Sequence, residues 1–360
     1  MRQDHLRTGS LASGAQNQQA MEMLSAAQSG DTRRTALSAA VMDPAEGFRS
    51  AAGFIRGLTR GGLVFLALLT TTAGGAQTPQ ERTAGYPDLS SFRQDLVPPA
   101  MTNEAPAAGK RVRLTLPRYR GTDVHLSLYL PTDWEPGRRY PVIIEYAGNG
   151  GYRSKHGDVS TGRVEDSSLG FGLAGPQCTI WACLPYVDAT HQKNEIRWWG
   201  DLAATVAFCK EAVALICREF GGDPRALVIC GFSRGAIACN VIGLHDDEIA
   251  ALWRAFIPVS HYDGARTWPF EGSDPASARQ RLLRLRGRPV LVMHEVHDIS
   301  PGTYTIVDTI NYLAGTGLPL ANFKFQQLGI RNHTDRWTLF DLPERKVARD
   351  WLAAVLTMRP

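Results

Sequence analysis

A serine flanked by two glycines is the residue whose surroundings most clearly suggest chemistry. Gly231, Ser233 and Gly235 form a G-x-S-x-G sequence between the apolar run 226–230 and the small or apolar residues 236–239. This pattern predicts a buried strand that turns directly into a tightly packed helix. Such a turn strains the central residue, and glycines avoid collisions on either side of it. We therefore expect the Ser233 hydroxyl to stand above the sheet edge, at the positive end of a helix. The alternative is an ordinary glycine-rich turn that carries a serine.

A second glycine-rich segment, residues 147–151, follows the continuous apolar run 141–146. The run predicts another buried strand. A glycine-rich turn directly after a strand allows several backbone N–H groups to face one point, where a developing oxyanion can be bound. A merely flexible turn is the alternative interpretation of these residues.

Composition limits the classes of protein to consider. The 360 residues are 44% hydrophobic and 21% charged, which is ordinary for a globular protein. The length suffices for one large α/β core, and two small domains are an alternative. The net charge of +4 is small, and the basic residues form no run or stripe interleaved with aromatic residues. Nucleic acid is therefore not an expected partner.

The first hundred residues differ from the rest. Residues 1–54 are rich in Ala, Ser, Gln, Gly and Arg, and we predict a disordered extension. Since a signal peptide should begin near the N-terminus, we expect the true start to lie later than Met1, with Met42 as the candidate. Residues 55–76 have a basic beginning, an apolar run of about eleven residues and a small-residue end, which predicts a signal peptide cleaved after Ala76. An uncleaved signal anchor is the alternative. We expect an extended lead-in over 77–104, a catalytic domain over 105–360, and a secreted or periplasmic protein without stable membrane insertion.

The six cysteines suit an oxidising compartment only if they pair. Cys178 and Cys183 flank a four-residue stretch, and a bridge between them is one hypothesis. For most of the six, the preferred interpretation is a buried free thiol that packs as a small hydrophobe.

Beyond residue 105 the pattern predicts strands that alternate with helices. We predict a hairpin from 111–116 and 124–130, a long polar loop over 152–176, later strands over 179–187, 255–259, 289–294 and 323–328, and helices over 198–220, 276–285, 303–314 and 342–356. This alternation favours a mostly parallel sheet with helices on both faces.

These residues together resemble the α/β-hydrolase superfamily. The resemblance covers residues 111–360 and rests on GFSRG after one strand, GNGG after an earlier strand, an acid after a later strand and a histidine after the last. The order serine, acid, histidine is that of the superfamily. Secreted esterases, depolymerases and the catalytic domain of prolyl-oligopeptidase-like peptidases are the most similar groups. Many relatives have His-Gly where this chain has Ala147-Gly148.

The resemblance implies a triad. Ser233 would be the nucleophile, which needs an adjacent base because a serine hydroxyl is weakly nucleophilic at neutral pH. His333 follows the last strand, where the superfamily places its base. Asp298 lies four residues beyond the end of its strand and is the expected acid, while Glu295 and Asp263 are the alternatives.

The same resemblance implies the rest of the site. The backbone amides of Asn149 and Arg234 would bind the oxyanion, with Gly148 in the same loop. The Arg234 side chain would pair with a carboxylate in the loops or meet an acidic group of the substrate, and the former is the more common arrangement. Tyr152 and Trp199 are candidates to line the pocket, with core packing as the alternative. The scattered histidines predict no metal site.

The resulting expectation is an exported serine hydrolase that cleaves small or polymeric carboxylic esters without a cofactor. A peptidase or amidase of the same fold is one alternative. Such peptidases usually carry an N-terminal propeller, which about a hundred residues cannot build. A non-catalytic binding protein that retains the fold is the other alternative.

Overall fold

The computed structural model describes residues 85–296 and 304–358. The predicted signal peptide, residues 55–76, and the extension before it lie outside the described residues, as does Asp298. In chain order the strands are β1 (Met101–Thr102), β2 (Arg111–Leu114), β3 (Leu126–Tyr129), β4 (Tyr140–Tyr146), β5 (Tyr152–Arg153), β6 (Val159–Ser160), β7 (Ile180–Leu184), β8 (Tyr186–Val187), β9 (Asn194–Glu195), β10 (Gly222–Phe232), β11 (Ala255–Val259), β12 (Val290–Glu295) and β13 (Phe323–Leu328). The helices are α1 (Leu169–Ala174), α2 (Leu202–Glu219), α3 (Arg234–Val241), α4 (Asp247–Ala250), α5 (Pro275–Leu282), α6 (Ile306–Gly315) and α7 (Pro343–Thr357).

Nine of the described strands form one sheet in the spatial order β1-β2-β3-β7-β4-β10-β11-β12-β13. The pairs from β7 to β13 are all parallel. The predicted hairpin of β2 and β3 is confirmed as an antiparallel pair, and β3 also runs antiparallel to β7. Because the central strands are parallel, the loops that follow β4, β10, β11, β12 and β13 meet at one edge of the sheet, where ligands bind in open α/β sheets.

Alternating side chains in the central strands feed two separate cores. In β10, Leu227 and Ile229 pack into the core covered by α2, α3 and α6, whereas Val228 and Cys230 pack into the core beneath α1 and α7. Burial on both faces explains why these strands are continuously apolar instead of alternating with polar residues. The predicted α/β-hydrolase fold, a mostly parallel central sheet with helices on both faces, is confirmed.

The region predicted as a long polar loop, residues 152–176, contains more structure than expected. It holds the short hairpin of β5 and β6 and the buried helix α1. Added Cβ atoms would lie 2.3 Å from Trp181 at Gly170 and 2.0 Å from Thr338 at Gly172. The helix therefore needs glycine to pack closely, and a short glycine-rich helix gives no amphipathic signal in the sequence.

The proposed bridge between Cys178 and Cys183 is wrong. All six cysteines are free thiols in the structure. Cys183 is buried in β7, while Cys178 is exposed and its amide donates a hydrogen bond of 2.7 Å to Asp133.

Within the described part of the chain, no helix has the length and apolar character required to cross a membrane.

Candidate active site

The predicted nucleophile elbow, residues 231–235, carries the chain directly from β10 into α3. Ser233 precedes the helix in the left-handed region, with φ of 54° and ψ of −113°. A Cβ atom on Gly231 would lie 2.1 Å from the carbonyl oxygen of Gly235, and one on Gly235 would lie 1.8 Å from that of Tyr146. No side chain fits at either position, so the glycines are a steric requirement of the turn.

Ser233 is tied to the neighbouring strand through its backbone. Its amide donates a hydrogen bond of 2.9 Å to the carbonyl oxygen of Val259, the last residue of β11. Ser233 is half-buried and stands at the amino end of α3. The first amides of a helix have no acceptor inside it, and the helix dipole favours negative charge there.

His333 lies in the loop after β13, and the structure places its ring beside the elbow. The ring centroid is 4.6 Å from that of Phe232, the residue before Ser233. The ring of Tyr152 meets it edge-on at 4.9 Å. Only 5% of His333 is exposed. The fold thus brings the candidate base beside the elbow that carries the candidate nucleophile.

The carboxylate that contacts this candidate base is Glu295. Nδ1 of His333 contacts Oε1 of Glu295, the last residue of β12. Glu295 is 4% exposed, so the contact is shielded from water. A carboxylate on Nδ1 fixes the tautomer that leaves Nε2 to act as the base. Glu295 is the alternative that the sequence left open, and Asp298, the expected acid, lies outside the described residues.

Asp263, the other alternative, is engaged elsewhere. Its carboxylate accepts hydrogen bonds of 2.7 and 2.9 Å from the guanidinium of Arg281. Its side chain is fully buried, and burial raises the pKa of this carboxyl although Arg281 opposes the shift. A bidentate pair of this kind fixes a loop, so the structure commits Asp263 to Arg281 and not to His333.

Two polar residues that the sequence did not single out hold the loop of His333. Asp158 accepts a hydrogen bond of 3.1 Å from the His333 amide and another of 2.9 Å from the Asn332 side chain. The Asn332 side chain in turn accepts a hydrogen bond of 2.7 Å from the amide of Leu89. Asp158 lies in the hairpin of β5 and β6, and Leu89 lies in the predicted lead-in. No local sequence signal marks these partners, because each contact joins segments far apart in the chain.

The predicted oxyanion loop follows β4 and is fixed by its own contacts. The Asn149 side chain accepts a hydrogen bond of 2.8 Å from the amide of Trp198. The amide of Gly150 donates to the carbonyl oxygen of Ile196 at 2.7 Å. Rigid loop geometry is the condition under which backbone donors act as a preorganised oxyanion hole.

The side chain of Arg234 does not pair with a carboxylate, as the sequence had suggested. Its guanidinium donates hydrogen bonds to the carbonyl oxygens of Gly148 and Trp198, at 2.9 and 2.8 Å, and more distantly to that of Ala147 at 3.4 Å. The guanidinium carbon lies 3.8 Å from the ring centroid of Tyr186. With 1% of the residue exposed, Arg234 cannot meet a substrate either. Arg234 binds the predicted oxyanion loop to the first turn of α3.

The two aromatic candidates have different positions. Tyr152 is half-buried and packs against His333, so it lies at the site. Trp199 is 6% exposed and packs against Tyr186 and Phe270, with ring centroids 5.7 and 5.0 Å away. The structure therefore places Trp199 in the aromatic core behind the site.

His261 follows β11, and its ring lies 5.5 Å from that of His333. Burial and the neighbouring His333 hold the pKa of the His261 imidazole well below its usual value. A neutral imidazole here adds no positive charge beside the candidate base.

Within residues 85–296 and 304–358, no group of three or more His, Cys, Asp or Glu side chains is arranged to hold a metal ion.

No family model matches the chain, and no curated protein matches it in sequence. Solved structures do match. A thermostable esterase aligns with a TM-score of 0.42 and 15% identity, over 68% of this chain and 62% of its own. Thermogutta terrifontis esterase 2 phosphorylated by paraoxon aligns with a TM-score of 0.43 and 18% identity, over 67% of this chain and 92% of its own. Porphyromonas gingivalis dipeptidyl peptidase 4 aligns with a TM-score of 0.42 and 15% identity, over 68% and 36%.

This chain spans less than two thirds of the length of the thermostable esterase and of the dipeptidyl peptidase. Similarity this low transfers no substrate and no activity to the chain.

Proposed function

We propose that this chain is a serine hydrolase that cleaves carboxylic esters through an acyl-enzyme. Ser233 is the nucleophile and His333 the base. The observation that carries the proposal is the approach of the His333 ring to 4.6 Å from Phe232, next to a serine held in the left-handed region between two obligatory glycines. A strained serine beside a buried imidazole that contacts a carboxylate is the arrangement required for an activated hydroxyl nucleophile.

The reaction has two halves. The Ser233 hydroxyl attacks the ester carbonyl while His333 takes its proton. The amides of Arg234 and Asn149 bind the tetrahedral oxyanion, and the loss of one such donor typically costs about 3 kcal/mol of transition-state stabilisation. His333 then gives the proton to the leaving alcohol. Water repeats the sequence on the acyl-enzyme and releases the acid, so the cycle needs no cofactor.

The acid of the triad is Glu295 in this proposal. Its Oε1 contacts Nδ1 of His333, and the pair is buried. Asp298 is the other candidate and was the first choice from the sequence. The two carboxylates differ in a testable way, because only the true partner of His333 stabilises the imidazolium that forms during catalysis.

Export is the second part of the proposal and rests on residues 55–76, with their basic beginning, apolar run and small-residue end. Expression of the full coding sequence in a bacterium with a secretion system, so that translation can begin at Met1 or at Met42, followed by N-terminal sequencing of the exported protein, tests it. We expect the mature chain to begin at Gln77. A soluble cytoplasmic product that retains Met1 would contradict export.

Labelling with a fluorophosphonate probe tests the hydrolase proposal and separates it from a binding protein that keeps the fold. The probe phosphonylates an activated serine with loss of fluoride, so we expect one label per chain, mapped by peptide mass spectrometry to Ser233. Ser233→Ala should abolish labelling, while Ser91→Ala, an exposed serine in a short turn, should leave it unchanged. Equal labelling of wild type and Ser233→Ala would overturn the proposal.

Hydrolysis rates on matched 4-nitrophenyl esters and 4-nitroanilides then decide between an esterase and an amidase.

A further inference from the structure

We propose that Ser260 is a positioning residue that holds the Glu295 carboxylate in the orientation needed to contact His333. The proposal rests on the proposed function, since it assigns a role within the same site. Ser260 follows β11 and was not singled out by any sequence pattern.

The two carboxylate oxygens of Glu295 contact different side chains. Ser260 Oγ donates a hydrogen bond of 2.5 Å to Oε2 of Glu295, while Oε1 contacts Nδ1 of His333. Ser260 is 0% exposed and Glu295 is 4% exposed. A buried carboxylate needs hydrogen-bond donors to remain ionised, and water does not reach this one freely. The hydroxyl therefore supplies the donor that solvent would supply to an exposed acid.

Ser260 has a backbone conformation that is unfavourable for a residue with a side chain. Its φ is 80°, in the left-handed region that non-glycine residues seldom occupy. Its amide donates a hydrogen bond of 2.8 Å to the carbonyl oxygen of Met293 on β12. Glycine would adopt this conformation more easily. The presence of a strained serine, with its hydroxyl on Glu295, points to a use for the hydroxyl.

Backbone contacts connect this residue to the other half of the site. The preceding residue, Val259, accepts the hydrogen bond from the Ser233 amide. On the far side, the amide of Val296 donates at 3.0 Å to the carbonyl oxygen of Ile330, in the segment that leads to His333. Ser260 thus lies between the strand ends that carry the nucleophile and the acid, where a side chain can align one with the other.

Removal of the hydroxyl takes one hydrogen-bond donor from the Glu295 carboxylate, which weakens its hold on His333. The chemical step should suffer more than substrate binding, because the Ser260 hydroxyl contacts the Glu295 carboxylate. A charge-assisted hydrogen bond of this kind corresponds to a loss of about 10- to 100-fold in kcat.

Two replacements separate the hydroxyl from the backbone. Ser260→Gly removes the hydroxyl and relieves the left-handed strain, whereas Ser260→Cys keeps the shape with a weaker donor. We expect Ser260→Gly to remain folded at the assay temperature, because relief of the backbone strain offsets part of the lost hydrogen bond, and to lose kcat about 10- to 100-fold with little change in KM. Ser260→Cys should recover part of that loss. Wild-type kcat in Ser260→Gly would overturn the proposal.

A double-mutant comparison tests whether Ser260 affects kcat through Glu295. If Ser260 acts through Glu295, Ser260→Gly should cost much less in a Glu295→Gln background than in wild type. An equal loss in both backgrounds would show that Ser260 acts by another path.

Proton NMR gives a readout that does not depend on hydrolysis. The His333 Nδ1–H proton on a buried carboxylate should resonate far downfield, and its assignment is checked by its loss in His333→Gln. We expect Ser260→Gly to shift or broaden this resonance, and an unchanged resonance would overturn the proposal. If Ser233→Ala kept full hydrolytic activity, the proposed function would fail, while the NMR result would still decide whether Ser260 orients Glu295.

Discussion

The elbow and the acid–base side of the site are built in different ways. At the elbow, the glycines, the left-handed serine and the following helix lie within a short stretch, residues 231–241, and the determinants are steric. On the acid–base side, Glu295 and His333 come from separate strand ends and are joined by side-chain contacts. The elbow can be predicted directly from the sequence, because residues that are neighbours along the chain either collide or fit. The contact between Glu295 and His333 cannot, because only the whole fold brings the two residues together.

The position of Glu295 illustrates this difference. Strand β12 extends to Glu295, one residue beyond the predicted end. Leu291 and Met293 pack into the core beneath α1 and α7, and Glu295 follows them at the same two-residue spacing. It therefore leaves the strand on the same side of the sheet as Phe232, whose ring packs on His333. The end of a strand and the direction of its last side chain are the least predictable features of a sequence.

The largest expected effect distinguishes the two acids. Glu295→Gln keeps the shape but cannot stabilise the charged imidazole or enforce its tautomer, so kcat should fall by about 10³- to 10⁴-fold. Asp298→Asn is the matched control and should lower kcat far less. Steady-state hydrolysis of a 4-nitrophenyl ester measures both. A larger loss in Asp298→Asn would assign the acid to Asp298 and contradict the account of Glu295.

The second prediction concerns the steric basis of the elbow. In Gly235→Ala the new Cβ would meet the Tyr146 carbonyl oxygen at 1.8 Å, so the turn must shift. We expect a loss of about 3–5 kcal/mol in the free energy of unfolding, measured by urea denaturation. Gly315→Ala is the control, because its Cβ would have no neighbour within 4 Å. Its stability should change by about 1 kcal/mol at most. Equal stabilities of the two variants would refute the steric argument.

The third prediction tests whether Arg234 links the elbow to the oxyanion loop. Arg234→Lys keeps the charge but cannot bind the carbonyl oxygens of Gly148 and Trp198 together. The loop should lose rigidity, and kcat/KM should fall by about 10-fold or more through kcat, as expected for misplaced oxyanion donors. Arg225→Lys, with 82% of its side chain exposed, should have wild-type activity. Wild-type kcat in Arg234→Lys would show that the loop does not depend on this contact.

The smallest effect concerns a buried acid in the sheet. Glu145 accepts hydrogen bonds of 2.8 Å from the amide of Gly170 and from the indole of Trp181, and burial raises its pKa from 4.5 to about 8. Between these values the folded chain retains a proton that the unfolded chain releases, so this group makes stability fall as pH rises from about 4.5 to 8. Urea denaturation at pH 5 and pH 8 should show a smaller fall in Glu145→Gln than in wild type. The same fall in both proteins would refute this assignment.

The strands and turns that depend on a clear apolar pattern or on local steric requirements could be predicted from the sequence. The strand Phe323–Leu328 and the strand Ala255–Val259 match their predicted bounds, because apolar runs between polar turns are clear signals. These patterns do not predict α1, whose glycines serve a close contact with distant residues. They also do not predict the roles of Arg234, Asp158 and Ser260, since each binds a partner that only the folded chain brings near.

Pre-steady-state kinetics test the central claim, that Ser233 is acylated with the help of His333. With 4-nitrophenyl acetate, an acyl-enzyme whose breakdown is slower than its formation gives a burst of 4-nitrophenol that approaches one equivalent per folded chain. We predict such a burst for wild type, no burst and at least a roughly 10⁴-fold lower rate for Ser233→Ala, and a comparable loss for His333→Ala. Hydrolysis by Ser233→Ala at the wild-type rate, with the burst retained, would contradict the account.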